Sequence, residues 1–250
     1  MGYIAETGVG VPMVSAEQMR EIDRIAVEET GPNLFQMMEH AGRSLAELAI
    51  EHLGRDWQKR TVLVLAGAGG NGGGGICAAR HLANRGARVV VCLADADHLA
   101  PVPAFQREVF RSTSGREIRP DELEHVDADL ILDALVGYSL IGPPRGTAAS
   151  LIRWTHHAGV PIVALDVPSG LSATTGEVPG DVVRPDVTLT LALPKTGLRP
   201  PWSGGLVLAD LGIPSAVFRR LGLRYENPFD HRFRVPLRWE DQGCTTPRPA

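Results

Sequence analysis

Cysteine is scarce in this 250-residue chain, which has only Cys77, Cys92 and Cys244. An odd count, with Cys77 and Cys92 inside apolar runs, points to reduced, buried thiols rather than a disulfide framework. No Cys/His cluster has zinc spacing, so transition-metal catalysis is not expected. Long apolar runs are missing too. No stretch reaches 18 residues, and the N-terminal MGYIAETGVGVPMVSAEQ has no basic segment leading into an apolar core. Neither a membrane span nor a secretory signal is therefore expected, and a cytoplasmic location is. Excess charge is also absent: the formal net charge of -4 argues against a general nucleic-acid or anionic-membrane surface. No internal repeat is visible.

What is present suffices for one large core, because 44% of the residues are hydrophobic and single cores grow to roughly 250–300 residues. Ser15 followed by Glu17, with Met19, Ile22 and Ile25 at helical spacing, predicts an N-capped amphipathic helix ending near Gly31-Pro32. A second helix is predicted from Phe35 to about Leu53. The period then changes. Thr61-Val62-Leu63-Val64-Leu65 is a short apolar run that stops at a glycine cluster, as a buried parallel strand does. Similar runs recur at Ala87–Leu93, Leu130–Leu132, Pro161–Leu165, Val187–Leu193 and Leu206–Leu208, most of them separated by enough chain for a helical crossover. The alternation predicts an α/β fold with a mostly parallel sheet covered by helices. The composition shifts only after Leu223, so residues 1–223 are expected to form the domain. Residues 224–250, charged, aromatic and proline-bearing without periodicity, are expected as a draped arm or a disordered tail. Arg232, Arg234, Arg238 and Trp239 within it are expected to be solvated.

Seven of the nine residues from Gly67 to Gly75 are glycine, and the helix-like Ile76-Cys77-Ala78-Ala79-Arg80-His81-Leu82 follows. Residues 67–72 spell G-x-G-x-x-G, with Asp95 about where a ribose-binding acid stands in a dinucleotide fold. The bland alternative is a tight turn in which glycine permits positive φ. So many glycines cost chain entropy that a turn alone has no reason to incur. Backbone approach to a phosphate at a helix N-terminus is the better reading.

In a doubly wound sheet, ligands lie outside the carboxyl ends of the strands. Polar residues that directly follow the apolar runs are Asn71, Asp133, Asp166 and Lys195, and all four are expected at one crevice. A single aspartate there often only caps a turn. Together, two carboxylates, an amide and an ammonium could hold a cation or move protons. Asp166 opens Asp166-Val167-Pro168-Ser169-Gly170, a stiff turn that offers a hydroxyl. Asp133 opens Asp133-Ala134-Leu135-Val136-Gly137, whose loop runs on to Gly142 with free carbonyls. Such oxygens suit a hard monovalent cation.

These pieces, with Met37-Met38-Glu39-His40-Ala41-Gly42, Pro194-Lys195-Thr196-Gly197-Leu198 and Asp210-Leu211-Gly212-Ile213-Pro214, resemble the NAD(P)H-hydrate epimerase family from about Val14 to Leu221. The resemblance implies a three-layer α-β-α sandwich with a Rossmann-like sheet. It also implies interconversion of the R and S forms of hydrated NADH or NADPH, a potassium ion at the site, and frequent dimerisation. Carried over by position, Asn71, Asp133 and Ser169 are the implied potassium ligands. The implied substrate contacts are Gly70, Asn71, Gly72, Gly73 and Gly74, then Gly137, Tyr138, Ser139, Leu140, Ile141, Gly142 and Pro143, together with Asp166. Inversion at the hydroxyl-bearing carbon needs reversible loss of water or ring opening, and either needs proton transfer. Asp166 is the first choice for that acid/base and Lys195 the second, with a phosphate or structural contact as the other role for Lys195. The family loop usually reads Asn-Asn-Gly-Gly-Asp-Gly, so Gly70 and Gly74 replace an amide and a carboxylate, and His40 stands where an Asn is usual. Two competing functions remain: a non-catalytic nucleotide- or protein-binding paralogue, and a Rossmann dehydrogenase using Asp95. Against the latter, the glycine run is overlong and no second catalytic domain with an active-site His/Lys pair is expected.

Overall fold

The structure, a computed structural model, describes residues 2–240. Its centre is a ten-stranded sheet. Seven strands are parallel: β3 (Thr61–Ala66), β4 (Arg88–Leu93), β5 (Arg116–Ile118), β6 (Leu130–Ala134), β7 (Ile162–Leu165), β8 (Val187–Leu191) and β9 (Gly205–Ala209). An antiparallel edge adds β1 (Gly2–Ala5), β2 (Gly10–Val11) and β10 (Arg234–Glu240). The order is β2-β1-β10-β9-β8-β7-β6-β3-β4-β5. The chain steps outward from β3 to β5, then returns to β6 on the other side of β3. That reversal is the switch point at which α/β sheets bind ligands.

Side-chain alternation builds three layers. Val62, Val64 and Ala66 of β3 face α2 (Leu34–Leu53) and α3 (Gly70–Ala83), with Phe110 of α4 (Pro101–Arg111) at the edge of that cluster. Leu63 and Leu65 face the other way, onto Leu151 and Ile152 of α5 (Gly146–Thr155). The expected three-layer α-β-α sandwich is what forms. A third cluster joins α1 (Ala16–Ile25) and α6 (Ser215–Arg220) to the antiparallel edge. Ser15 caps α1 as expected, accepting from the Gln18 N–H at 3.1 Å while Gln18 Oε1 accepts from the Ser15 N–H at 2.9 Å.

Two expectations need correction. The segment read as a draped arm or disordered tail contains β10, which pairs with β1 and β9. Arg232, Arg234 and Trp239 are engaged rather than solvated, whereas Arg238 is exposed as expected. Arg234 Nη1 donates to Glu51 at 2.7 Å, Arg232 Nη1 to Glu6 at 2.9 Å, and Trp239 packs edge-on against Tyr3 at 5.0 Å. Arg199 stacks over the same Trp239 ring at 5.7 Å. Cys244 lies outside the described residues. The glycine run is also not a loop leading to a helix at Ile76, because α3 begins at Gly70. A Cβ on Gly74 would lie 2.7 Å from Leu165 Cδ2 of β7, and one on Gly75 would lie 2.5 Å from Ala134 Cβ of β6. Much of the glycine therefore serves the close approach of α3 to the sheet, a purpose that neither a turn nor a phosphate loop supplies. Among the described residues no helix is long and apolar enough to cross a membrane.

Candidate active site

At the switch point lies a cavity of about 300 Å³, lined by Gly70 and Asn71 after β3, Gly137 to Ser139 after β6, Leu165 at the end of β7, Asp166 after it, and Leu191 of β8. Leu34, Met37, Met38 and Ala41 of α2 supply an apolar wall, and Asp23 of α1 closes one side. Each polar group is held by its own strand end.

Asp166 follows β7 at φ 67, with its N–H donated to the Leu189 carbonyl at 2.7 Å. A non-glycine residue in that region carries strain and needs its surroundings to fix it. Here three donors do so: Lys195 Nζ to Oδ1, the Tyr138 N–H to Oδ2 at 3.1 Å, and the Leu191 N–H to Oδ1 at 3.4 Å. Lys195 is fully buried and also donates to the Leu191 carbonyl at 2.8 Å. Its backbone is anchored by a parallel bridge to Val14. Lys195 therefore stands behind Asp166 and does not line the cavity. Its ammonium also lies 5.8 Å from the centre of the Tyr138 ring.

Asp133 departs further from the expected common crevice. It is fully buried within β6 and lies beneath the cavity. Its Oδ2 accepts from the Ser169 N–H at 2.8 Å, and its Oδ1 from Ser169 Oγ at 2.6 Å and the Leu135 N–H at 3.3 Å. Burial pushes its carboxyl up to about 6, although the Ser169 donors oppose the shift. Ser169 Oγ in turn accepts from the Val136 N–H at 2.9 Å. The turn holding Ser169 depends on Gly170 at φ 102, where a Cβ would lie 2.1 Å from the Asp181 carbonyl oxygen.

Asn71 sits in the first turn of α3, and its Nδ2 is buried without a partner. Such groups are uncommon in native structures and mark a place for something bound. A Cβ on Gly137 would come within 3.0 Å of Asp166 Oδ2 and 3.1 Å of Asn71 Oδ1, so only glycine leaves room between them. Of the remaining expected contacts, Gly74 also lines the cavity. Gly72 and Gly73 are buried in α3 packing. Leu140, Ile141, Gly142 and Pro143 lie outside the lining, with Ile141 86% exposed.

The amide, carboxylate and hydroxyl of Asn71, Asp133 and Ser169, with the Val136 carbonyl beside Ser169 Oγ at 3.2 Å, are an all-oxygen donor set that fits a hard cation. A cation there would also answer the burial of an Asp133 carboxylate that pairs with no described cation. Glu39, Cys77 and His81 also gather, between α2 and α3. In that cluster Arg80 already supplies the positive charge, donating to Glu39 and reaching Cys77 Sγ at 3.2 Å.

Asp23 is a site residue that sequence reasoning missed. It accepts from Tyr138 Oη at 2.6 Å, and burial pushes its carboxyl up to about 6. Burial and the neighbouring Asp23 charge push the Tyr138 phenol up as well. The signal was available: Asp23 lies four residues after Met19 and three before Ala26, on the buried stripe of its helix. Conversely, His40 is exposed beside Gly212 and does not line the cavity. Asp95 is spent on a local turn with the Asp97 and His98 N–H groups.

The family described as YjeF-related protein N-terminus matches residues 34–197. A protein of Dehalogenimonas lykanthroporepellens named NAD(P)H-hydrate epimerase is 52% identical over 96% of this chain and 98% of its own length. The chain belongs to the NAD(P)H-hydrate epimerase family. A second epimerase of this family, from Truepera radiovictrix, is 42% identical over 84% of the chain and 94% of its own length. A bifunctional NAD(P)H-hydrate repair enzyme of Salinibacter ruber is 38% identical over 84% of the chain, and the match spans 42% of that longer protein. A yeast protein of known crystal structure superposes with a TM-score of 0.76 at 25% identity, covering 87% of this chain and 97% of the yeast chain. Family membership and the three-layer fold thus agree with what the sequence resemblance implied.

Proposed function

We propose that this enzyme, an isomerase of NAD(P)H-hydrate repair, interconverts the R and S forms of hydrated NADH and NADPH in the cavity lined by Asn71, Gly137 and Asp166. The observation that carries the reading is Asp166 itself. It is a carboxylate held by three donors in a strained conformation, buried in the lining of a cavity with an apolar wall. About 300 Å³ is at the lower end of ligand-pocket sizes. The cavity takes the hydrated nicotinamide ring, and the rest of the dinucleotide runs outward past Gly70. There the α3 N-terminus has no side-chain cap, so its free N–H groups are available to the pyrophosphate.

In this reading Asp166 takes a proton from the incoming oxygen at the hydroxyl-bearing carbon. Lys195 orients that carboxylate through its ion pair, a positioning role rather than the acid/base role first considered for it. The Asn71 amide, unsatisfied within the chain, offers its N–H to a substrate oxygen. Potassium is the proposed ion for Asn71, Asp133 and Ser169. When bound, it would supply positive charge beneath the Gly137 and Ser169 turns that frame the cavity. Isolated R and S epimers of hydrated NADH, incubated separately with the protein in potassium buffer, test the proposal. Chromatography should show interconversion faster than the spontaneous rate. No acceleration with either epimer would favour the non-catalytic binding protein.

A further inference from the structure

The reaction needs two proton positions, because the hydroxyl leaves with a proton supplied to it and a water returning to the opposite face must give one up. In one direction Asp166 serves the second task, and in the reverse direction the two positions exchange roles. Three donors, one of them the buried Lys195 ammonium, already hold its two oxygens. The supplier must be a neutral acid that reaches the same cavity.

Asp23 is placed for it. Its carboxylate lines the cavity, accepts a single hydrogen bond among the described residues, from Tyr138 Oη, and forms no ion pair with a described residue. The arginine of its own turn, Arg24, is engaged by Glu21, Glu28 and Glu29. The other charges that Asp23 feels are Lys195 and Asp166, which already neutralise each other, while Arg20 is exposed on the same helix. Tyr138 ties the two acids together, since its N–H donates to Asp166 and its hydroxyl to Asp23. One residue therefore sets the separation between a carboxylate paired with an ammonium and a carboxyl left without a cation.

We propose that Asp23 is a second catalytic residue of the epimerisation, the general acid that protonates the leaving hydroxyl, with Tyr138 fixing its distance from Asp166. The assignment rests on the epimerase reading. The Asp23 proton passes to the hydroxyl oxygen, and the C–O bond breaks with its electron pair on oxygen, releasing water. The lone pair of the adjacent ring nitrogen forms the C=N bond. Water then adds to the opposite face, the C=N pair returns to nitrogen, and the added water gives its proton to Asp166. Proton exchange with solvent returns both acids to their starting states. One water leaves and one enters, and nothing is oxidised or reduced.

The test is kcat and KM from pH 5 to 9 for the wild type, Asp23→Asn and Tyr138→Phe, with melting curves alongside. Asp23→Asn should lower kcat by about 10²–10⁴-fold with little change in KM. It should also remove the decline in wild-type kcat that follows ionisation of a carboxyl at about 6. Tyr138→Phe withdraws the one donor that favours the charged carboxylate, so it should move that decline to higher pH. Wild-type kcat in Asp23→Asn, a loss confined to KM, or an unmoved decline in Tyr138→Phe would overturn the assignment. Should Asp23→Asn not fold, the Tyr138→Phe profile alone decides. A wild-type protein that accelerates neither epimer would sink the epimerase reading instead, so the two failures are distinct.

Discussion

Asp23→Asn should make the protein more stable above neutral pH, and the size of the gain follows from its burial. Its carboxyl rises from an ordinary 3.8 to about 6 on folding, chiefly through desolvation. A group whose folded value is raised contributes stability fully below its unfolded value and loses that contribution as pH rises through the folded one. At about 1.36 kcal/mol per pH unit, ionised Asp23 costs the fold about 3 kcal/mol at pH 8 relative to pH 3.5. The amide cannot ionise, yet it still accepts from the Tyr138 hydroxyl through its oxygen. The advantage of Asp23→Asn should therefore grow by about 3 kcal/mol between pH 3.5 and pH 8, roughly 6–12 °C in Tm for a chain of this size. Urea unfolding of both proteins at half-unit pH intervals measures it. Stability curves that run parallel across the range would refute the desolvation argument. Site residues commonly trade stability for function in this way.

Asp166→Asn should abolish epimerisation and also destabilise by about 3–5 kcal/mol, because it leaves the buried Lys195 ammonium unpaired. Adding Lys195→Met should restore most of that stability but no activity, as melting curves and turnover together would show. Potassium should raise Tm more than sodium at equal ionic strength, by the mass-action stabilisation of a ligand that binds only the folded state. Asn71→Ala should remove the difference. Gly74→Asp restores the family carboxylate in the cavity lining, but its Cβ would meet Leu165 Cδ2 at 2.7 Å. It should cost about 1–3 kcal/mol through overpacking and change KM more than kcat, and unchanged values of both would place Gly74 away from the substrate.

Strand ends were legible in this chain because parallel strands buried on both faces read as continuous apolar runs. The polar residue after each run then falls at the ligand edge of the sheet. That logic located Asn71 and Asp166 from sequence. It misplaced Asp133, because Asp133 itself pairs with Leu65 and Ala164, and the Ala66–Ala134 pairing carries β6 one residue past the aspartate. The glycine run was read for its backbone freedom. Its packing role was hidden because the atoms that a side chain would strike, Leu165 Cδ2 and Ala134 Cβ, reach it only through the fold. The last strand escaped for a similar reason. Only Val235 and Leu237 alternate inward there, too short a pattern to read without its partner strand β1 from the opposite end of the chain. Asp23 was obscured by charge, since an acid within an amphipathic helix is ordinarily assigned to the wet face.

The central claim is that this cavity inverts a hydrated nicotinamide centre through Asp166. The most direct measurement starts from the pure R epimer of hydrated NADH and follows its approach to the R/S equilibrium with catalytic amounts of wild-type protein and of the folded Asp166→Asn/Lys195→Met variant. The wild type should reach equilibrium at a rate proportional to enzyme concentration, while the variant should leave the spontaneous rate unchanged. A wild type no faster than buffer, or a variant as fast as the wild type, would contradict the account.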